Sequence, residues 1–178
     1  HIVGQSIFSS VPAFAGMMKN GVDPTSSEGA VNIPYQIANF RLDLTNTKVG
    51  VPILWWRSVG STHTAFATET FIDELAVAAG KDPLEYRRAL MAEHPRHPAV
   101  LNLVAEKSGW GSALPKGRAR GIAVAESFNT VVAQVAEVSQ DAKGRIKVER
   151  VVCAVDCGTA VTPDVVRAQM EGGAIMGL

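Results

Sequence analysis

An arginine set between tryptophans and a turn glycine is the first residue whose surroundings point to chemistry. In Trp55-Trp56-Arg57-Ser58-Val59-Gly60, aromatic neighbours can hold the guanidinium so that its planar fork meets an anion or stacks on a flat ring. The plainer reading, a surface arginine beside a partly buried tryptophan, is the one local sequence alone favours. A second candidate is Asp156-Cys157-Gly158, where an apolar strand ends before Thr162-Pro163-Asp164 opens a helix. Free amides and a helix N-terminus there can meet a phosphate or another anion, although purely structural strand-loop-helix crossovers are common. The third is Gln169-Met170-Glu171-Gly172-Gly173, which sets an amide, a carboxylate and two glycines on an otherwise apolar helix. Each interior glycine costs about 1 kcal/mol relative to alanine. Such a pair implies close approach of a ligand, or of another backbone in tight helix packing.

Other constellations do not assemble. His63, His94 and His97 lack the helix-face pairing with an acid that a zinc site uses, Cys153 and Cys157 supply two ligands where a structural site wants four, and no serine sits in a nucleophile elbow. No metal coordination by side chains is expected, and the cysteines read as buried packing. His94-Pro95-Arg96-His97-Pro98 reads as a joint between helices.

The elements that must position the candidates follow from periodicity. Residues 1–34 carry turn formers and predict an irregular strand and loop, and the partial alternation of Ile37, Phe40, Leu42 and Leu44 predicts a strand over 35–48. Phe71, Ile72, Leu75, Ala76 and Ala79 share one helical face, with Gly80 placed as a left-handed cap. A second helix starts at Asp82-Pro83-Leu84-Glu85, with Asp82 as cap and a capping-box glutamate, and should end near His94-Pro95. A third runs from about Pro98 to Gly109, so residues 65–109 form a helical subdomain. Residues 119–178 then read as a strand hairpin or meander, turning at Asp141-Ala142-Lys143-Gly144, plus a C-terminal helix capped by Thr162. The continuous apolarity of Val151-Val152-Cys153-Ala154-Val155 predicts burial on both faces of the sheet. The expected fold is α/β (α+β), a mixed sheet packed by helices.

With 178 residues the chain can bury one core. Its 17 basic and 17 acidic residues cancel, so no global field attracts nucleic acid or anionic membrane. No apolar run reaches the roughly 20 residues of a transmembrane helix, and residues 1–20 lack the order of a signal peptide. A soluble chain is expected, its address open between periplasm and cytoplasm. The start at His1 and the stop at Met176-Gly177-Leu178 read as cut ends, the expectation being an excised piece of a larger chain.

Two of these stretches carry a resemblance. Trp55-Trp56-Arg57-Ser58-Val59-Gly60 with Ala65-Phe66-Ala67-Thr68-Glu69-Thr70-Phe71-Ile72-Asp73-Glu74-Leu75-Ala76 resembles the large subunits of the xanthine dehydrogenase and aldehyde oxidase family, and within it is most similar to the isoquinoline 1-oxidoreductase beta-subunit type. Val155-Asp156-Cys157-Gly158, Thr162-Pro163-Asp164, Gln169-Met170-Glu171-Gly172-Gly173 and Gly177-Leu178 resemble the family's aspartate-x-glycine, asparagine-proline and glutamine-x-glutamate-glycine series in the same order, with Thr162 where asparagine is commoner. The resemblance implies a piece of a large subunit that binds molybdopterin cytosine dinucleotide. Such a subunit hydroxylates carbon beside a ring nitrogen or oxidises an aldehyde, takes its oxygen from water, and passes electrons to an iron-sulfur small subunit with [2Fe-2S] clusters. It implies Arg57 at the active-site side, and Gly158, Gln169, Glu171 and Gly172 on the cofactor side. The family's glycine-x-glycine-glutamate-proline base and its glycine-phenylalanine-glycine loop have no match here. A piece without that base is expected to be inactive alone. The rival expectation is a scaffold or subunit-interface module of such an enzyme.

Overall fold

The computed structural model describes residues 16, 22, 24–45, 50 and 56–178. Among them lie a short 3₁₀ turn at Pro24–Ser26, helices α1 (Ser61–Ala78), α2 (Pro83–Leu90) and α3 (Arg96–Ser108), strands β1 (Arg118–Ser127), β2 (Thr130–Gln140) and β3 (Ile146–Asp156), and helix α4 (Pro163–Gly177). Trp55 lies outside the described residues, as do most of the first 23.

The helix ends follow their sequence signals with some shifts. Asp82 caps α2 by accepting from the amides of Leu84 and Glu85, and Gly80 and Gly109 take the left-handed conformation that ends α1 and α3. Glu85 pairs with Arg88. Helix α2 stops at Leu90, short of the expected His94, because the chain turns at Met91 and α3 already begins at Arg96. The Thr162 side chain makes no capping hydrogen bond, so α4 starts on its proline alone. Residues 35–45 form no strand, correcting the expectation drawn from their alternation. Tyr35 leads that segment into the core instead, and the amide of Gln36 donates to the Leu90 carbonyl at 2.7 Å.

The α+β class holds, with helices against one sheet. The three strands form an antiparallel meander in the order β1-β2-β3, and no parallel pair that would make the sheet mixed occurs among the described residues. Register puts Ile122 opposite Val135 and Ala133 opposite Ala154, and a bulge sits between Glu137 and Val138. One face of the sheet, carrying Ile122, Val124, Val131, Ala133, Val135 and Ala154, packs against Ile72, Val100, Leu101 and Val104 to form the core. The opposite face, with Ala123, Ala125, Val132, Gln134, Ala136 and Cys153, is only half-buried. The burial expected on both faces at Val151–Val155 is therefore realised on one.

A buried polar knot locks α1 to this sheet. Arg87 is fully buried and donates to Glu69 (2.9 Å) and Asp73 (2.6 Å), while Tyr35 donates to the same Glu69. Glu69 also accepts the amide of Val124 at 2.9 Å. That amide points off the outer edge of β1, so the carboxylate satisfies an edge group that would otherwise lack a partner.

Candidate functional site

Arg57 stands at the head of a strained turn. Ser58 and Val59 both have positive φ (63° and 46°), a conformation that is costly for a β-branched residue and tends to persist where the surroundings enforce it. Gly60 provides that enforcement. A Cβ on it would lie 2.7 Å from the carbonyl oxygens of Thr25 and Glu28, so only glycine lets the turn sit on the 25–28 backbone. Its amide donates to the Glu28 carboxylate, and Thr64 donates to the Glu28 and Gly60 carbonyls. The Thr62 hydroxyl donates to the carbonyl of Arg57 itself. The start of α1 thus fixes the backbone from which the guanidinium projects.

Across a gap from this turn lies α4. Arg57 Nη2 donates to Gln169 Oε1 at 2.7 Å, bridging 112 positions of sequence. The pair borders a cavity of about 510 Å³ walled by the Arg57 turn, the tip of the β1-β2 hairpin, the half-buried sheet face and α4. Gly173 and Gly177 follow Gln169 at one- and two-turn spacing on the same wall. A Cβ built on Gly172, Gly173 or Gly177 would meet nothing within 4 Å. Tight helix packing among the described residues therefore does not explain these glycines; the ones in the wall open it toward whatever fills the cavity.

Arg57 and Gln169 are the two sequence-derived residues that the fold brings together. Glu171 and Gly172 sit on α4 but do not line this cavity, and neither does Gly158. The Gly158 amide donates to the Asp156 carboxylate at 3.0 Å, so it is engaged within its own loop. Arg96 donates to the same carboxylate at 2.7 Å and holds it below the usual carboxylate range, with the Gly158 amide adding to the effect. Gly158 itself, at φ 72°, shapes the turn that leads into α4.

Several wall residues escape a reading by motif. Phe128 and Ser127 come from the hairpin tip, and Gln134 from the open sheet face. An aromatic residue between two alternating strands, at a turn of only two residues, was the available signal for Phe128. Among the described residues no aspartate, glutamate, histidine or lysine lines the cavity, so this part of the wall can bind, orient and donate hydrogen bonds but cannot take up a proton at neutral pH. Among the described residues no three side chains of the metal-ligating types converge, and no helix is long and apolar enough to cross a membrane.

A family model described as a molybdopterin cofactor-binding domain matches residues 62–178. The chain belongs to the molybdopterin cofactor-binding domain family. It is 36% identical over 160 residues to the beta subunit of isoquinoline 1-oxidoreductase from Brevundimonas diminuta, covering 88% of this chain and 20% of that protein. It is 33% identical over 163 residues to a nicotinate dehydrogenase subunit of Pseudomonas putida, covering 80% of this chain and 13% of that protein. It is also 33% identical over 144 residues to a membrane-bound aldehyde dehydrogenase [pyrroloquinoline-quinone] of Gluconacetobacter polyoxogenes, over 70% of this chain and 19% of that one. The chain thus spans a fifth or less of the length of these relatives. No solved structure matches it.

The cavity wall fits a molybdopterin-binding domain in its chemistry. A pterin is a flat heterocycle edged with hydrogen-bond donors and acceptors. Gln134 and Gln169 offer amides of both polarities, Arg57 a planar donor array, and the α4 glycines leave room for close approach.

Proposed function

We propose that this chain forms one wall of the catalytic cavity of a molybdenum hydroxylase large subunit, with Arg57 facing substrate and the Gln169 side of α4 facing the pterin. The observation that carries the reading is the Arg57–Gln169 hydrogen bond at the rim of an open cavity. In it, two stretches singled out for separate reasons meet. The parent reaction is hydroxylation of an N-heteroaromatic ring or oxidation of an aldehyde with water as oxygen source. The names of the isoquinoline and aldehyde relatives support those two substrate classes.

When bound, a molybdenum centre on molybdopterin cytosine dinucleotide supplies the oxidising power and the oxygen transferred. The residues of this chain bind and orient. Gln169 accepts from Arg57 and so fixes the guanidinium, whose charge can stabilise negative charge developing on the substrate. Met170 and Val132 supply apolar surface that excludes water from the wall. Gly158 sets the loop into α4, and Gly172 flanks the wall on that helix. Glu171, two residues past Gln169, lies on the opposite side of α4 and reaches the cofactor only if the cofactor wraps around the helix. The proton acceptor comes from the remainder of the large subunit, because the described residues of the wall include no carboxylate or imidazole. Electrons leave through an iron-sulfur small subunit carrying [2Fe-2S] clusters.

A scaffold role is the second reading, in which residues 65–109 and 119–178 act as docking units for other parts of the enzyme. It is favoured by α4, which has no buried residue and leaves Ile175 and Met176 more than 70% exposed. The test is an Arg57→Ala substitution in the complete large subunit assembled with its iron-sulfur partner, assayed on N-heterocycles and aldehydes. A loss of kcat/KM of about a hundredfold is expected, the size seen when a transition-state donor is removed. Unchanged turnover would take Arg57 out of the site and leave the scaffold role.

A further inference from the structure

The turn joining β1 to β2 has only two residues, Phe128 and Asn129, between the paired Ser127 and Thr130. Both take positive φ, 49° and 60°, which makes a type I′ turn. Asparagine and glycine suit such positions; a bulky side chain in the first of them carries strain. Phe128 also gains nothing from the core, being 73% exposed. A residue that costs stability in its backbone and returns none through burial is held for another reason. Its position supplies one, since Phe128 lines the same cavity as Arg57 and Gln169, together with Trp56 and Met170.

The turn is braced from behind. Arg96 donates through Nη2 to the carbonyl of Asn129 at 2.8 Å and to that of Asp156 at 3.0 Å, and through Nε to the Asp156 carboxylate. The hairpin tip and the end of β3 are therefore tied to the start of α3, which preorganises the ring at the cavity rim.

We propose that Phe128 is a specificity-determining residue that packs against the face of a flat aromatic substrate. The inference rests on the cavity being the catalytic one and narrows its substrates to those with a flat aromatic ring over short aliphatic aldehydes. An aromatic face contributes through offset or edge-on contact with another ring, which an aliphatic chain cannot reproduce.

The test uses the complete large subunit with its iron-sulfur partner, and compares kcat/KM for isoquinoline with that for a short aliphatic aldehyde. Phe128→Asn keeps a residue suited to the turn and removes the ring. The ratio of ring to aldehyde kcat/KM is expected to fall about tenfold, carried by KM, while the melting temperature holds or rises because the strain is relieved. Phe128→Tyr is expected to restore the ratio. An unchanged ratio in Phe128→Asn, or a fall in melting temperature that accompanies equal losses on both substrates, would overturn the proposal. Arg57→Ala run in parallel separates the two levels. If it lowers turnover while the ratio ignores Phe128, the specificity role alone falls; if it changes nothing, or the wild type accepts neither substrate class, the catalytic reading falls and this inference with it.

Discussion

Single residues at the cavity are arranged for access at the expense of local stability. Ser58 and Phe128 sit in a left-handed backbone region, and Gly173 interrupts a helix whose propensity would favour almost any other residue. Nothing lies within 4 Å of a Cβ at Gly173. Gly173→Ala should therefore stabilise the isolated chain, by about 0.5–1 kcal/mol in urea unfolding, while the complete large subunit carrying it retains less pterin. Destabilisation of the isolated chain would mean that this glycine answers a packing need within the chain. Arg57 and Gln169 were both legible in the sequence, one from its aromatic setting and the other from the amide beside paired glycines. Their meeting was not legible, because it depends on where the Gly60 turn seats on the 25–28 backbone.

At the scale of elements, the helices and strands that build the core were readable because their apolar period matches their geometry. The α1 stripe through Ile72 and Ala76 and the alternation of Val131, Ala133 and Val135 both end in the core. The 35–45 segment misled for a physical reason. Its alternation has no neighbouring strand to pair with, and Phe40 and Leu42 stay exposed. The two-residue turn at Phe128 escaped because its first residue breaks the Asn-Gly pattern by which such turns are recognised. At the joint between α2 and α3, His97 is buried with its ring edge-on to His94 and its Nε2 3.4 Å from Glu126. Burial lowers its pKa below the ordinary 6.5, outweighing the attraction of Glu126 and aided by His94 and Arg96. The folded form thus binds this proton less readily than the unfolded chain. The stability it confers is complete above about pH 6.5 and is lost as pH falls through the lowered value. Urea midpoints measured between pH 7.5 and pH 5 should decline, and His97→Phe should flatten that decline; a slope equal in both proteins would show that the acid sensitivity lies elsewhere.

For the whole molecule, the two sides of the sheet differ in kind. One side is closed by α1 and α3; the other, with α4 standing over its end, presents Val165, Ile175, Met176 and Leu178 to solvent, each at least 55% exposed. Apolar surface of this extent marks a place where further protein or a ligand belongs. The relatives, of whose length this chain spans a fifth or less, have the residues to provide it. The α+β class could be read from the sequence, but which face stays open could not. Val151 to Val155 are apolar throughout, although only the side that meets the core is buried and the other is left half-open. The most direct test of this account is cofactor retention by the complete large subunit, assembled with its iron-sulfur partner, when Gln169 is replaced by leucine. Molybdenum and pterin are measured per protomer through successive dilution. Loss about tenfold faster than in the wild type, with helix content unchanged, is the predicted result for one amide hydrogen bond to the pterin removed from the wall. Wild-type occupancy together with wild-type turnover would contradict it.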